Sequence, residues 1–208
     1  MHIKICGMVR IKDIEAVNLI LPDFAGFVFA ASRRQVDEDT ARNLVAHLRH
    51  AIIPVGVFVD EMPETVARIA NRCGLRVIQL HGCEDVAYVA RLRSLLPRSM
   101  TIWRAIRVLD AGSLQPMAIL PVDRFLLDAW HPKEAGGTGD PFDWNMARLA
   151  KKAFMLAGGL NPMNVADAIQ TVRPWGVDVS SGVETDGWKD PCKIAFFVEA
   201  ARAALAAC

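Results

Sequence analysis

The segment FMLAGGLNP, residues 154–162, is a short apolar run that ends in two glycines. A second segment, GVDVSSGVE at residues 176–184, is another apolar run that ends in two serines and a glycine. Between them lies a helix-period pattern that begins at Asn161-Pro162, with the asparagine as cap and the proline in the first turn. A strand, a helix and a second strand in this order form a βαβ unit, in which the two strands are parallel.

The same alternation of strand and helix extends over the rest of the chain. Eight strands are predicted, at Ile3–Cys6, Gly26–Phe29, Ile53–Phe58, Val77–Leu80, Thr101–Ile106, Arg124–Asp128, Phe154–Ala157 and Gly176–Val179. Eight helices follow them, at Lys12–Ile20, Asp39–Arg49, Pro63–Cys73, Asp85–Leu96, Ala111–Met117, Asp143–Lys151, Pro162–Val172 and Asp190–Ala207. The strands are continuous apolar runs, typical of a parallel sheet that is covered on both faces.

Two α/β architectures fit this alternation, an open doubly wound sheet and a closed barrel. Eight strand–helix units favour closure, so we predict a single (β/α)8 TIM barrel over residues 1–208. The chain of 208 residues is short for such a barrel, which typically has about 250 residues. We see no linker or low-complexity stretch that would divide it.

The composition excludes several classes of protein. Hydrophobic residues make up 52% and charged residues 23% of the chain, which argues against disorder. A net charge of +1 argues against a broad nucleic-acid surface. No apolar stretch approaches the length of a membrane span, and the first residues do not resemble an export signal. The five cysteines are irregularly spaced, without a CxxC pair, so we expect no zinc site and a cytoplasmic protein.

In a TIM barrel, catalytic and binding residues lie at the carboxyl ends of the strands and in the loops that follow. Gly158 and Gly159 follow the seventh strand, and Ser180, Ser181 and Gly182 follow the eighth. Glycines expose backbone N–H groups to an anion, and serine hydroxyls add further donors. Because these two loops commonly hold phosphate in barrels, we predict a phosphate site there.

A candidate acid–base pair ends the first and sixth strands. We expect the Cys6 thiol, near Lys4 and an electropositive pocket, to have a lowered pKa and to act as a base. Asp128 enters a largely apolar barrel mouth, where desolvation favours the protonated carboxyl, so it could act as an acid. The alternatives are a packing role for Cys6 and a capping or loop-anchoring role for Asp128.

Other polar residues would contact the rest of the substrate. Arg34 and His81 suggest a second anionic group distant from the phosphate. Asp178 would bond a sugar hydroxyl or anchor its loop, since a carboxylate beside phosphate is repelled. The glycine-rich cluster at residues 136–139 lies in a long loop, which is typical of a lid or binding loop. It lacks the spacing of a nucleotide P-loop.

Several motifs occur together and in order along the whole chain. They are Lys4-Ile5-Cys6-Gly7, Gly26-Phe27-Val28-Phe29, Gln79-Leu80-His81-Gly82, Leu127-Asp128, Gly136-Gly137-Thr138-Gly139, Leu156-Ala157-Gly158-Gly159-Leu160 and the segment from Val177 to Glu184. In this combination the chain resembles the phosphoribosylanthranilate isomerase family of tryptophan biosynthesis.

The resemblance implies a cofactor-free Amadori rearrangement of N-(5-phosphoribosyl)anthranilate to 1-(2-carboxyphenylamino)-1-deoxyribulose 5-phosphate. Cys6 would be the general base and Asp128 the general acid, with no metal. Arg34 matches the arginine that holds the anthranilate carboxylate. The family usually has Ser-Pro-Arg after the second strand, and the proline is missing in Ser32-Arg33-Arg34, so Arg33 stays an alternative.

Two other functions remain open from the residues. One is a related aminosugar-phosphate isomerase of the histidine pathway, although such barrels tend to use paired aspartates where this chain has Cys6. The other is a non-catalytic sensor of a phosphorylated ligand, which would have no need of a proton-transfer pair. The expected partner is a small phosphosugar, without nucleic acid or membrane, and the chain is expected to be a monomer or homodimer.

Overall fold

The computed structural model describes residues 1–128, 144 and 146–206. The glycine-rich cluster at residues 136–139, predicted as part of a binding loop, lies outside the described residues. Eight parallel strands close into a barrel in sequence order. They are β1 (His2–Cys6), β2 (Phe24–Val28), β3 (Ile53–Phe58), β4 (Val77–Leu80), β5 (Thr101–Arg107), β6 (Arg124–Asp128), β7 (Phe154–Ala157) and β8 (Gly176–Val179).

Helices follow the strands, and a small antiparallel hairpin follows the eighth. The helices are α1 (Ile11–Ile20), α2 (Glu38–Ala46), α3 (Pro63–Cys73), α4 (Val86–Leu95), α5 (Pro116–Ile119), α6 (Val165–Val172) and α7 (Pro191–Ala206). The hairpin strands are β9 (Glu184–Thr185) and β10 (Trp188–Lys189). Short 3₁₀ turns cover Ala111–Leu114, Ala147–Leu149 and Ser181–Val183. None of the helices within the described ranges is long and apolar enough to cross a membrane.

The strands bury both faces, as their apolar composition predicts. Alternate side chains point into the barrel, where Phe24, Val55, Trp103, Leu126 and Met155 belong to one packed cluster. The other side chains of each strand pack outward against the helices in a second, larger cluster. This alternation, with a period of two residues, determines which residues at the strand ends face the barrel mouth.

Three predicted helices differ from the structure. The segment predicted as Pro162–Val172 becomes helical only at Val165. The reason is local, because Asn161 Oδ1 accepts hydrogen bonds from the amides of Met163 and Asn164, at 2.8 and 3.2 Å, and holds a turn. The predicted helix near Ala111 is a 3₁₀ turn followed by the short α5. In the described part of residues 143–151, only the 3₁₀ turn Ala147–Leu149 forms.

Candidate active site

Cys6 and Asp128 both face the mouth of the barrel. Cys6 lies two residues after Lys4, whose side chain is fully buried inside the barrel, and Asp128 lies two residues after the inward-facing Leu126. Because side chains on one face of a strand recur every second residue, both pairs point inward. In the closed ring, β7 and β8 separate β6 from β1, so the two side chains approach the mouth from well-separated directions.

Gly26 makes room for the Cys6 thiol. The two residues are register partners on neighbouring strands. A Cβ atom on Gly26 would lie 2.7 Å from Cys6 Sγ, which is closer than atoms of this kind pack. Any larger residue at position 26 would therefore displace the thiol. On the other side, Ser180 Oγ donates a hydrogen bond of 3.0 Å to the Cys6 carbonyl, which fixes the end of β1 to the loop after β8.

A buried ion pair lies inside the barrel below the thiol, two residues before Cys6 on β1. Lys4 Nζ donates a hydrogen bond of 3.0 Å to Asp178 Oδ1, and the two residues are register partners on β1 and β8. Burial lowers the pKa of Lys4, but the charges of Asp178 and Cys6 outweigh it and raise this pKa above its ordinary value. Asp178 was expected to bond a sugar hydroxyl or to anchor its loop; its carboxylate bonds Lys4 inside the barrel, and the expected roles stay predictions.

The expected lowering of the Cys6 pKa is wrong. Cys6 is 8% exposed, and desolvation of the thiolate raises its pKa above the ordinary value. Lys4 and Lys189 act in the opposite direction, while Asp178 adds to the rise. The sequence indicated the nearby cation correctly, but it could not show how completely the thiol is removed from water.

Asp128 lies beside His81. The distance from His81 Nε2 to Asp128 Oδ2 is 3.4 Å, and both side chains are about four-fifths buried. Among the described residues, His81 Nε2 has no hydrogen-bond partner. A neutral imidazole nitrogen can accept a proton from a carboxyl group, and an imidazolium can donate one. The imidazole lies near the Asp128 carboxyl, but the two side chains share no hydrogen bond in this structure.

The residues predicted to bind phosphate come together in two adjacent loops. Gly158 and Gly159 both have positive φ, at 86° and 62°, a conformation that L side chains rarely adopt. Gly182 packs so closely on the preceding loop that a Cβ there would collide with the Leu160 carbonyl oxygen. Ser181 begins the 3₁₀ turn and is exposed, whereas the Ser180 hydroxyl is held by Cys6.

Arg34 forms a two-pronged ion pair with Glu184. Its Nε and Nη2 atoms donate to the two carboxylate oxygens at 2.7 and 2.9 Å. The side chain of Arg34 is 24% exposed, against 55% for Arg33, which also reaches Glu184 at 2.6 Å. The Cδ atom of Arg34 lies over Gly7, 2.5 Å from where a Cβ would be. Of the two arginines, Arg34 is therefore the one that lies next to Cys6 and the mouth.

Lys189 was not predicted as part of the site. Its Nζ donates to Glu184 Oε1 at 2.6 Å and to the Ser180 carbonyl at 2.9 Å. The signal for it was present at Asp186-Gly187, a pair typical of tight hairpin turns. Both residues have positive φ, 50° and 83°, and the turn between β9 and β10 places Lys189 directly opposite Glu184.

The Glu184 carboxylate is held by three cations. Burial alone would raise its pKa, but hydrogen bonds and charge from Arg34 and Lys189 lower it to about 2. Arg33 adds a third, more exposed contact. This cluster joins the loop after β2 to the hairpin after β8 and closes one side of the mouth.

Comparison with known proteins agrees with this geometry. Residues 3–200 match the family model for N-(5'-phosphoribosyl)anthranilate (PRA) isomerase. The chain belongs to this isomerase family. A PRA isomerase of Acetivibrio thermocellus is 50% identical over an alignment of 209 residues, which covers 97% of this chain and 96% of the relative. The resemblance drawn from the sequence motifs is confirmed, as is the enzyme class, an isomerase.

Solved PRA isomerase structures share the fold. The crystal structure of the Thermotoga maritima PRA isomerase superposes with a TM-score of 0.85 at 33% identity, covering 98% of this chain and 99% of that one. A PRA isomerase in complex with reduced 1-(o-carboxyphenylamino)-1-deoxyribulose 5-phosphate gives a TM-score of 0.81 at 31% identity, over 98% of this chain and 99% of that chain. The predicted (β/α)8 barrel is confirmed.

The depressed pKa of Glu184 predicts a pH dependence of stability. A carboxylate with a folded-state pKa of about 2 stabilises the fold above its unfolded pKa of about 4.3. We expect this contribution to be complete above about pH 5 and to be lost as the pH falls toward 2. Urea unfolding of wild type and Glu184→Gln at several pH values measures it.

The stability difference between the two proteins should be largest near neutral pH and shrink on acidification. A difference that stays constant from pH 7 to pH 3 would show that Glu184 is not held by charge. The matched control is Glu199→Gln, which removes an exposed carboxylate of α7 and should change stability little at either pH.

Proposed function

We propose that this chain converts N-(5'-phosphoribosyl)anthranilate to 1-(2-carboxyphenylamino)-1-deoxyribulose 5-phosphate, without a cofactor, in tryptophan biosynthesis. The observation that supports it best is the inward orientation of Cys6 and Asp128 at the mouth, beside the two glycine-rich and serine-rich loops. A family member has been solved with the reduced form of this product, and the chain superposes on it over nearly its whole length.

The chemistry needs one acid and one base. Asp128 donates a proton to the ring oxygen of the ribose, which opens the ring and leaves a protonated imine at C1. The Cys6 thiolate then removes the proton from C2, and the resulting enolamine tautomerises to the ketone. General acid and base groups of this kind each contribute a factor of about 10²–10⁴ in rate.

The neighbours of each group support these roles. His81, 3.4 Å from Asp128, can exchange a proton with the carboxyl as the reaction proceeds. Lys4 and Lys189 are the cations that favour the thiolate form of Cys6. Because Gly26 has no side chain, the thiol has the space to face the substrate.

The phosphate would bind at the loops after β7 and β8. Backbone N–H groups around Gly158, Gly159 and Gly182 and the exposed hydroxyl of Ser181 are suitable donors for its oxygens. Ser180 would act mainly through its backbone, because its hydroxyl bonds the Cys6 carbonyl. Asp178 would oppose the phosphate charge little, because its carboxylate is paired with Lys4.

Arg34 would bind the anthranilate carboxylate, as its place beside Gly7 supports better than the exposed position of Arg33. Glu184 occupies the Nε–Nη2 edge of the guanidinium, so the carboxylate would approach the remaining Nη1 group. Held in this way, Arg34 is oriented before the substrate arrives, which reduces the entropy lost on binding.

Cys6 distinguishes this reaction from the histidine-pathway alternative, whose barrels tend to use paired aspartates. A sensor would not need Asp128 and Cys6 together.

We further propose that residues 1–208 form one catalytic barrel and that the protein acts in the cytoplasm as a monomer or homodimer. Both states occur among the neighbours, since monomeric forms of the dimeric Thermotoga maritima enzyme have been solved.

Replacing the acid or the base tests the mechanism. We expect Cys6→Ser and Asp128→Asn each to reduce kcat by at least about 100-fold, because each removes a proton-transfer group. Turnover is followed as the loss of fluorescence of the ribosyl anthranilate, and circular dichroism checks the fold. Replacement of the exposed Cys83 by serine is the matched control and should leave the rate unchanged.

A rate near that of wild type in either mutant would contradict the mechanism. A parallel assay with a ribosyl-aminoimidazole substrate separates the two isomerase activities. Turnover of that substrate alone would favour the histidine-pathway alternative. Binding of a phosphosugar without any turnover would favour the sensor.

The phosphate site can be tested at Gly159. We expect Gly159→Val to raise KM by about tenfold or more, because a β-branched residue disfavours positive φ and moves the loop amides. Gly74→Val is a matched control, since Gly74 has a similar φ of 67° at the end of α3, outside the site. It should reduce stability without changing KM. Equal KM values for wild type and Gly159→Val would refute phosphate binding at this loop.

A further inference from the structure

The buried ion pair beneath Cys6 contains one of the two lysines that favour the thiolate form of this residue. Lys4 is fully buried, and its ammonium group is held at 3.0 Å by Asp178. Burial of a charged pair costs desolvation energy on both partners, and such pairs rarely stabilise a fold more than packed apolar residues would. The rest of the inner cluster is apolar and aromatic. An ion pair at this depth therefore calls for a chemical explanation.

The geometry connects the pair to the thiol. Lys4 and Cys6 lie on the same face of β1, with Cα atoms about 7 Å apart, and the lysine stem is long enough to span that distance. We propose that Lys4, kept charged and oriented by Asp178, is the positioning residue that stabilises the Cys6 thiolate for proton abstraction. The inference rests on the proposed function, since it concerns the base of that reaction.

Charged groups from four elements face the thiol. They are Lys4 on β1, Asp178 on β8, Lys189 on β10 and Arg34 in the loop after β2. Lys189 and Arg34 already share Glu184, which neutralises much of their charge. The negative charge of Asp178 is already paired with the ammonium group of Lys4. Of these groups, Lys4 lies on the same strand face as Cys6, and its charge opposes the desolvation of the thiol more than that of Lys189 does.

Desolvation and the lysine have opposite effects on the thiol. Burial raises the pKa of Cys6, and the nearby charge of Lys4 lowers it. Without Lys4 the pKa would rise further, and less thiolate would be present near neutral pH. Asp178 helps to keep Lys4 protonated, because its charge and that of Cys6 together outweigh the desolvation that would otherwise remove the proton from a buried amine.

Alkylation of Cys6 measures the thiolate directly, without turnover. Iodoacetamide reacts with the thiolate, and mass spectrometry of the Cys6 peptide follows the rate from pH 6 to pH 10. The measurement uses the full chain with the exposed Cys83 and Cys192 changed to serine. We expect Lys4→Met to move the profile upward by at least about one pH unit, equivalent to about tenfold less thiolate.

Steady-state kinetics distinguish an effect of Lys4 on the Cys6 thiolate from a purely structural role of Lys4. Because Lys4 does not reach the substrate, Lys4→Met should lower kcat and leave KM nearly unchanged. Lys12→Met removes an exposed lysine of α1 and should keep both the alkylation profile and the kinetics of wild type. A folded Lys4→Met protein with the wild-type alkylation profile would overturn the inference.

If Lys4→Met leaves Asp178 unpaired and does not fold, Lys4→Met combined with Asp178→Asn removes both charges. The same upward shift is expected, because Lys4 affects the thiol more than Asp178 does, and an unchanged profile again overturns the inference. The proposed function is judged separately. Wild-type turnover with no shift in the variants contradicts only the role of Lys4, whereas a shift without wild-type turnover contradicts the proposed reaction.

Discussion

The barrel closes where β1 meets β8, and the register of that contact organises the site. Lys4 pairs with Asp178 in the interior, and one step further Ser180 bonds the Cys6 carbonyl. A slip of one strand by one residue would turn its ionic side chain outward and break the pair. The same contact therefore closes the sheet, holds the thiol and brings the loop after β8 beside it. The site depends on this register more than on any single side chain.

Around that closure, the mouth has two ionic arrangements with different purposes. Arg34, Glu184 and Lys189 form a cluster that joins the loop after β2 to the hairpin after β8. His81 and Asp128 lie next to each other on another side of the mouth, 3.4 Å apart and without a hydrogen bond between them. The first arrangement holds two loops together, and the second leaves the acid and the imidazole available to a ligand.

Much of the fold could be predicted because strand identity is local. The predicted bounds of β3, β4, β6, β7 and β8 agree with the structure, since apolar runs bounded by polar turns define them. Helices near Pro162 and Ala111 were misplaced, because side-chain hydrogen bonds in the turns compete with helix formation. The Arg34–Glu184 contact joins residues 150 positions apart, and the periodic patterns that predict helices and strands give no information about such a contact.

In the candidate site too, local features could be predicted and long-range ones could not. The rule that strand ends carry the chemistry predicted which residues lie at the mouth, and the structure places Cys6, Asp128 and the two loops there; their roles stay predictions. Their electrostatics did not follow, because the degree of burial of Cys6 depends on the whole barrel. The hairpin turn at Asp186-Gly187 was readable in principle, since a two-residue turn of this kind places its flanking strands side by side and so brings Lys189 opposite Glu184.

The central claim is that a thiol and a carboxyl act on one sugar whose phosphate is held by the last two loops. A crystal structure with reduced 1-(o-carboxyphenylamino)-1-deoxyribulose 5-phosphate tests it most directly. The account predicts the phosphate against the amides of Gly159 and Ser181, with the sugar carbons between Cys6 and Asp128. A ligand bound with its phosphate elsewhere, or with either side chain out of reach of the sugar, would contradict it.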